Sequence, residues 1–180
     1  MKIELGARSD AEPFEMKLIQ PYMAEVLADR LGPNEFPVRT VVARRTFWEK
    51  AMLLHEEILR PAGKKRNPRL SRHYYDLYCL IQQGEGAKAA SDISLFNRCV
   101  RHRAVFFAHS WMDYSTLVPG ALHIVPPPEQ MAEWRQDYAA MKGQMFFGDV
   151  PDFDRIIQSV GEFERRFNRE VSSSSPSSSR

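Results

Sequence analysis

Glu49 and Lys50 set a carboxylate and an ammonium side by side in the stretch R-R-T-F-W-E-K-A, residues 44–51. Thr46 stands where a helix N-cap is expected, and Glu49 three residues on completes a capping box, each side chain satisfying a backbone N–H of the other residue. A helix start also offers unpaired N–H groups and a positive dipole end, which favour anions such as phosphates. The pair therefore has two readings, a cap or an acid and cation that handle phosphate.

Phosphate chemistry assisted by two metal ions needs paired carboxylates, commonly D-x-D, with a third nearby. The one D-x-D here is Asp152-Phe153-Asp154. It opens a helical pattern, where Asp is an expected cap, and no Gly-Ser element precedes it at the right distance. It reads as a cap. Cations cluster elsewhere: Arg60, Lys64, Lys65, Arg66, Arg69 and Arg72 follow one another with no acidic residue between them. Such a run is either a solvated loop or a surface for polyphosphate or an RNA backbone. Arg98, Arg101, His102 and His109 mark a second basic side, on a helical stretch.

The elements that must position these residues are mostly helices. M-K-I-E-L-G-A-R alternates as a strand, with Ile3 and Leu5 on one face and Lys2 and Glu4 on the other, and is expected to pair with V-R-T-V-V-A. Glu15 to Arg30 would cross between them as a loop and short helix. The helix opened by Thr46 runs to about Arg60 on a stripe of Phe47, Ala51, Leu54 and Ile58, and stops at Pro61 and Gly63. Ser71 caps the next, which faces Tyr74, Leu77, Tyr78 and Ile81 inward, places Asp76 beside that face, and is halted by Gly84 and Gly86. A third helix spans about Asp92 to Met112, with Leu95, Phe96, Cys99, Val100 and Phe106 as core. Two extended pieces around Pro119-Gly120 follow. A fourth helix starts at Pro127 and Pro128 and carries Met131, Trp134, Tyr138 and Met141, and a last one is capped by Asp152. The fold class is α+β, mostly helical, with residues 1–45 a small sheet, 46–170 a helical domain and 171–180 a disordered serine tail.

With 180 residues, 43% apolar and 27% charged, the chain can bury a core in one or two small domains. A net charge of +2 is too small for general nucleic-acid affinity, so local clustering has to supply any such binding. Cys79 and Cys99 have no paired spacing and read as buried thiols in a reducing cytoplasm rather than as zinc ligands. No apolar run reaches the ~18 to 20 residues of a membrane span, so the sequence reads as cytoplasmic.

Four separated segments, K-I-E-L-G-A-R-S-D, R-T-F-W-E-K-A-M-L-L-H-E-E, R-L-S-R-H-Y-Y-D-L-Y and W-R-Q-D-Y-A-A-M-K-G-Q-M-F-F-G, resemble in order the C-terminal half of the AbiEii/AbiGii-type nucleotidyltransferase toxins. The resemblance implies the helical bundle-like C-terminal part of a polymerase-β-type nucleotidyltransferase. It implies a toxin–antitoxin or phage-defence protein that moves a nucleotide from an NTP to an RNA acceptor such as tRNA, with Mg2+ or Mn2+, and that has a cognate antitoxin. Lys2 and Glu4 match the strand motif, in which a lysine contacts the nucleotide or a carboxylate, here Glu4, completes the metal site. Glu49 and Lys50 match the helix motif as catalytic or orienting groups. Arg72, Tyr75 and Asp76 match the next helix, and Arg69, Arg72 and Asp76 are the expected substrate-binding set.

In that family a glycine-rich element and the D-x-D site precede the strand at Lys2. The expectation is thus a portion that is inactive alone and requires an upstream half in trans. The alternative is a non-catalytic helical module that binds RNA or an antitoxin through the Arg60 to Arg72 and Arg98 to Arg103 clusters.

Overall fold

A computed structural model describes residues 10–27, 30, 34–143, 145, 146 and 148–172. The strand expected at residues 2–7, with Lys2 and Glu4, and the serine tail from residue 173 lie outside the described residues. The chain divides into two compact units, Met1–Val42 and Ala43–Arg180. Among the described residues there are seven helices and one two-stranded sheet, a mostly helical α+β fold.

In the first unit, strand β1 (Phe14–Ile19) pairs antiparallel with β2 (Phe36–Val41), Phe14 opposite Val41 and Ile19 opposite Phe36. Glu15 to Ile19, expected as part of a crossing loop, is therefore a strand. F-E-M-K-L-I alternates apolar and polar residues, the period that lets one face of a ladder share neighbours. Arg39 clips the hairpin by pairing with Glu12 and lying 3.7 Å over the Phe14 ring. A short helix α1 (Tyr22–Val26) follows β1.

The second unit is built on α2 (Ala43–Ile58), whose Phe47, Trp48, Ala51, Met52 and Leu54 are fully buried. Helices α3 (Arg72–Gln82), α4 (Glu85–Ser91) and α5 (Ile93–Phe106) pack against it. A 3-10 turn (Tyr114–Thr116), α6 (Pro128–Met141) and α7 (Phe153–Ser172) complete the unit. On α7, Phe153, Ile156, Val160, Phe163 and Phe167 recur at three- and four-residue steps and are all buried, the stripe the spacing predicts. Phe163 meets Phe47 edge-on at 4.7 Å, and Trp48 meets Phe96 at 4.9 Å and Phe167 at 5.0 Å. The Trp48 indole N–H donates to the Ala89 carbonyl at 3.2 Å, so burying this ring strands no donor.

Several local expectations are corrected by tertiary contacts. Helix α2 starts at Ala43, so Thr46 is inside it and the capping box does not form. Instead, Arg45 Nε donates to Glu49 Oε1 at 2.9 Å, one turn on, and the two arginines, good helix formers, extend the helix upstream. Ser71 sits at the N-cap of α3, but its hydroxyl donates to Asp137 Oδ2 at 2.6 Å and makes no cap bond. Gly84, at φ 78°, ends α3 as expected. Gly86 stops nothing: it lies buried in α4, where a Cβ would stand 3.2 to 3.4 Å from Ile81, Phe163 and Phe47. Helix α5 ends at Phe106 rather than near Met112, and Phe106 is exposed rather than core. Ala108 beyond it has φ 23°, which a continuing helix cannot accommodate.

The segment around Gly120 does extend, without a ladder. Glu164 Oε2 accepts the Val125 N–H at 2.9 Å and also that of Ile124, while Asn168 pairs with both the N–H and the C=O of Leu122. Two polar residues one turn apart on α7 thus serve as the missing strand edge.

Phe163 is shared by α2, α7 and the close approach at Gly86. Phe163→Ala is expected to lower unfolding stability by about 3 to 5 kcal/mol, read from the denaturant midpoint at unchanged slope.

Candidate functional site

Helices α2 and α3 lie against each other so that residues from two of the sequence motifs meet. Lys50 Nζ stands 2.5 Å from Asp76 Oδ2, across 26 residues of chain. Neither group is sealed from water: the side chains are 23% and 37% exposed, respectively. An ion pair that exposed contributes little to stability, on the order of 0 to 1 kcal/mol, so fold maintenance alone explains it poorly.

His73, one turn before Asp76 on α3, has Nδ1 3.9 Å from the same Asp76 oxygen. Burial, and then the positive charges of Lys50 and Arg72, hold His73 at about 4, against the opposing pull of Asp76. The ring is therefore neutral at physiological pH and adds no charge to the pair. Its Nδ1 is buried and makes no hydrogen bond. No sequence motif drew attention to His73. Its signal was its spacing, three residues before Asp76 on the same helix face.

The adjacent Glu49 turns the other way, to the fully buried Arg45. Sequence neighbours on a helix diverge by about 100°, and here they split into an acid that pairs within its own helix and a cation that pairs across to α3. Behind Glu49, Arg103 of α5 makes a two-pronged pair with Glu56, Nε to Oε1 at 2.6 Å and Nη2 to Oε2 at 2.5 Å, both residues buried. Arg103 Nη1 also lies 3.5 Å from the Glu49 carbonyl. Its positive charge is a further, smaller influence depressing His73.

The other expected substrate-binding residues are not gathered at one point. Arg72 acts on His73 through its charge, from the first turn of α3. Arg69 is exposed, in a left-handed turn at φ 67°, where its backbone N–H donates to Asp137 Oδ1 at 2.6 Å. Asp137, which sequence reasoning passed over, ties down this loop by accepting from Arg69, the Ser71 N–H and the Ser71 hydroxyl. Much of the basic run is spent internally. Arg60 makes a two-pronged pair with Glu57, while Arg66 bonds Glu133 and Gln130 and lies 4.1 Å over Trp134. A cavity of about 410 Å³ between this loop and α6, lined by Lys65, Arg66, Asn67, Trp134 and Asp137, does not include Lys50 or Asp76. We place the site by its chemistry rather than by that hollow.

Metal ligation finds little support in these side chains. Asp152 pairs with Lys142 at 3.2 Å and Asp154 with Arg135 at 2.6 Å, so the D-x-D carboxylates turn to separate cations. Among the described residues no group of three or more His, Cys, Asp or Glu is placed to hold a metal ion. The described residues thus do not fit a two-metal site. Glu4, the expected metal ligand, lies outside them. No helix among the described residues is long and apolar enough to cross a membrane.

The family model described as nucleotidyl transferase AbiEii toxin, type IV TA system, matches residues 1–159. Neither a curated protein nor a solved structure matches the chain.

His73 and the equally buried His55, also held at about 4 by burial and by the neighbouring His123, give a pH signature. Their folded values lie below the ordinary 6.5, so between 6.5 and 4 the unfolded chain binds more protons than the folded one. Stability is complete above about pH 6.5 and falls on acidification. The slope reaches up to about 1.4 kcal/mol per pH unit for each histidine. Denaturant midpoints from pH 7 to 5, above the range of ordinary carboxylates, should show this decline, and His73→Gln should make it shallower.

Proposed function

The chain belongs to the AbiEii nucleotidyl transferase toxin family of type IV toxin–antitoxin systems, and on that premise we propose that it transfers a nucleotide from an NTP to an RNA acceptor such as tRNA, with Lys50 and Asp76 at the centre of the phosphate site. The observation that carries the reading is the contact between Lys50 and Asp76. Two residues from separate motifs are brought together by two packed helices, accessible to solvent and flanked by a neutral histidine.

The chemistry follows from the charges. Phosphoryl transfer requires little from a protein beyond position and electrostatic stabilisation of the phosphate oxygens. Lys50 supplies a compact ammonium whose three N–H donors exceed what one carboxylate oxygen uses. Asp76 holds that ammonium in place before substrate arrives and yields it, or shares it, when phosphate oxygens compete. Glu49, engaged with Arg45, acts as a positioning residue that fixes the turn from which Lys50 projects. Neutral His73 spares the site a second cation that would pull Asp76 away from Lys50. Arg72 and Arg69 lie further along the approach, where polyphosphate or the acceptor backbone would pass.

The reading includes Mg2+ or Mn2+, which neutralises triphosphate charge and polarises the reacting oxygens when bound. Its ligands would come from outside the described residues, with Glu4 a candidate and Lys2 its neighbour on the expected strand. A glycine-rich turn and D-x-D would complete the site. The cell compartment in this reading is the cytoplasm, the biological context phage defence, and the partner a cognate antitoxin.

Two measurements test it. Binding of a fluorescent NTP analogue to the 180-residue chain should weaken roughly 10- to 100-fold in Lys50→Ala, the loss of charged hydrogen bonds worth about 1.5 to 3 kcal/mol. In Asp76→Asn it should stay level or tighten, because a competing negative charge has been removed. Undiminished binding in Lys50→Ala would overturn the assignment. Incubation with labelled NTPs, Mg2+ or Mn2+ and total tRNA should leave RNA unlabelled for this chain alone, and label it once a polypeptide carrying the glycine-rich turn and D-x-D is added. Label on RNA without that addition would mean that this chain holds its own metal site.

A further inference from the structure

From Ile93 to Met112 there is no acidic residue, while Arg98, Arg101, His102, Arg103 and His109 all fall within that span. Arg103 is buried against Glu56, but α5 leaves Arg98 and Arg101 on its exposed side. One turn further, the helix ends in an exposed apolar group: Val105 is 71% exposed, Phe106 46% and Phe107 36%. Exposed phenylalanines at a helix end cost solvation and gain nothing for the core. They are also ordered among themselves. The His102 ring lies 4.7 Å from that of Phe106, tilted by 31°, and 6.1 Å from that of Phe107. The Arg103 guanidinium covers one face of Phe107 at 4.5 Å.

Exposed aromatic side chains beside an exposed arginine, on a stretch that carries no carboxylate of its own, match the two parts of a single-stranded nucleic acid: bases that stack and phosphates that repel acids. A protein partner with an acidic rim would use the arginines, but would not call for a cluster of exposed rings. The location fits as well. Arg103 touches Phe107 on one side and the carbonyl of Glu49, the residue before Lys50, on the other. The platform therefore lies one side chain away from the turn that projects Lys50.

We infer that the end of α5 is the docking platform for the unpaired end of the RNA acceptor, with a terminal base stacking on the exposed Phe106 and the preceding phosphate lying along Arg101. This rests on the reading of the acceptor as RNA. It names the side chains of this chain that would hold that end.

The test measures binding and not transfer, so it stands apart from the metal site. A fluorescein-labelled eight-nucleotide RNA is titrated with the 180-residue chain by anisotropy at several salt concentrations. Phe106→Ala should weaken binding roughly 5- to 100-fold with the salt slope unchanged, since stacking is not electrostatic. Phe106→Tyr should restore it. Arg101→Ala should reduce the slope of log affinity against log salt by about 0.7, one phosphate contact on a single strand. Both positions are on the surface, and unchanged unfolding midpoints would show that the variants fold.

If the wild type binds the RNA and all these variants bind it equally, the platform is wrong and the RNA reading survives. Absence of RNA binding by the wild type, in single-stranded or duplex form, sinks the RNA reading and the platform with it. Self-association of the wild type that is abolished by Phe106→Ala, with RNA affinity untouched, would make this face an interface between copies and overturn the proposal.

Discussion

A buried guanidinium and a buried carboxylate at the middle of the helical unit set the terms for everything around them. Taking Arg103 and Glu56 out of water costs several kcal/mol for each ion, and the cost is offset only when geometry and hydrogen bonds are both good. Here the pair is two-pronged, the Trp111 indole N–H donates to the Glu56 carbonyl at 3.1 Å, and His109 Nε2 stands 3.6 Å from Glu56 Oε2. Tyr114 is drawn in too: burial first, and the negative charge of Glu56 next, push its hydroxyl up to about 12. The loop after α5 is thereby bound to α2 by polar contacts, beside the apolar anchors Met112 and Leu117. That leaves the last turn of α5 free of core duty and its phenylalanines at the surface.

The same constraint reaches the Lys50–Asp76 pair. With α5 locked to α2 through Glu56, and α3 packed on α2 and anchored by Tyr74 edge-on to Trp134 and Phe153, the two turns that carry Lys50 and Asp76 have no freedom to slide. A one-residue slip of α3 would rotate Asp76 by about 100° and end the contact. The buried apolar face of α3 fixes its register, and the exposed ion pair uses the register so fixed.

Where sequence pattern alone determined an outcome, it was legible. The stripes of α3, α6 and α7 follow from spacing, Pro128 marks the start of α6, and the Asp92 side chain accepts from the Leu95 N–H as an N-cap should. Lys50 and Asp76 were both visible as motif residues, but not that they touch, because nothing local relates positions 26 apart. Thr46 and Glu49 misled for a similar reason: a capping box and an i,i+4 partner make the same demand on Glu49, and the buried Arg45 won. Gly86 looked like a stop until Phe47 and Phe163 were seen to crowd it. The F-E-M-K-L-I alternation was present and was outweighed by expecting the partner of β2 further upstream.

Charge counting shows why clusters in sequence are weak evidence for surfaces. Arg60, Arg66 and Arg103 all belong to runs that read as basic patches, and each is turned to a carboxylate of this chain. Arginine suits this use because its planar fork satisfies both carboxylate oxygens while its methylenes remain in apolar surroundings. The positive field presented to a polyanion is therefore set by exposed side chains such as Arg69 near the start of α3 and Arg101 along α5, not by the length of a run in the sequence. In the proposed reading, separate small cationic strips suit a substrate that is itself divided, a compact triphosphate and a flexible strand. A single broad patch would favour any long polyanion, whereas separate strips bind well only what can reach both.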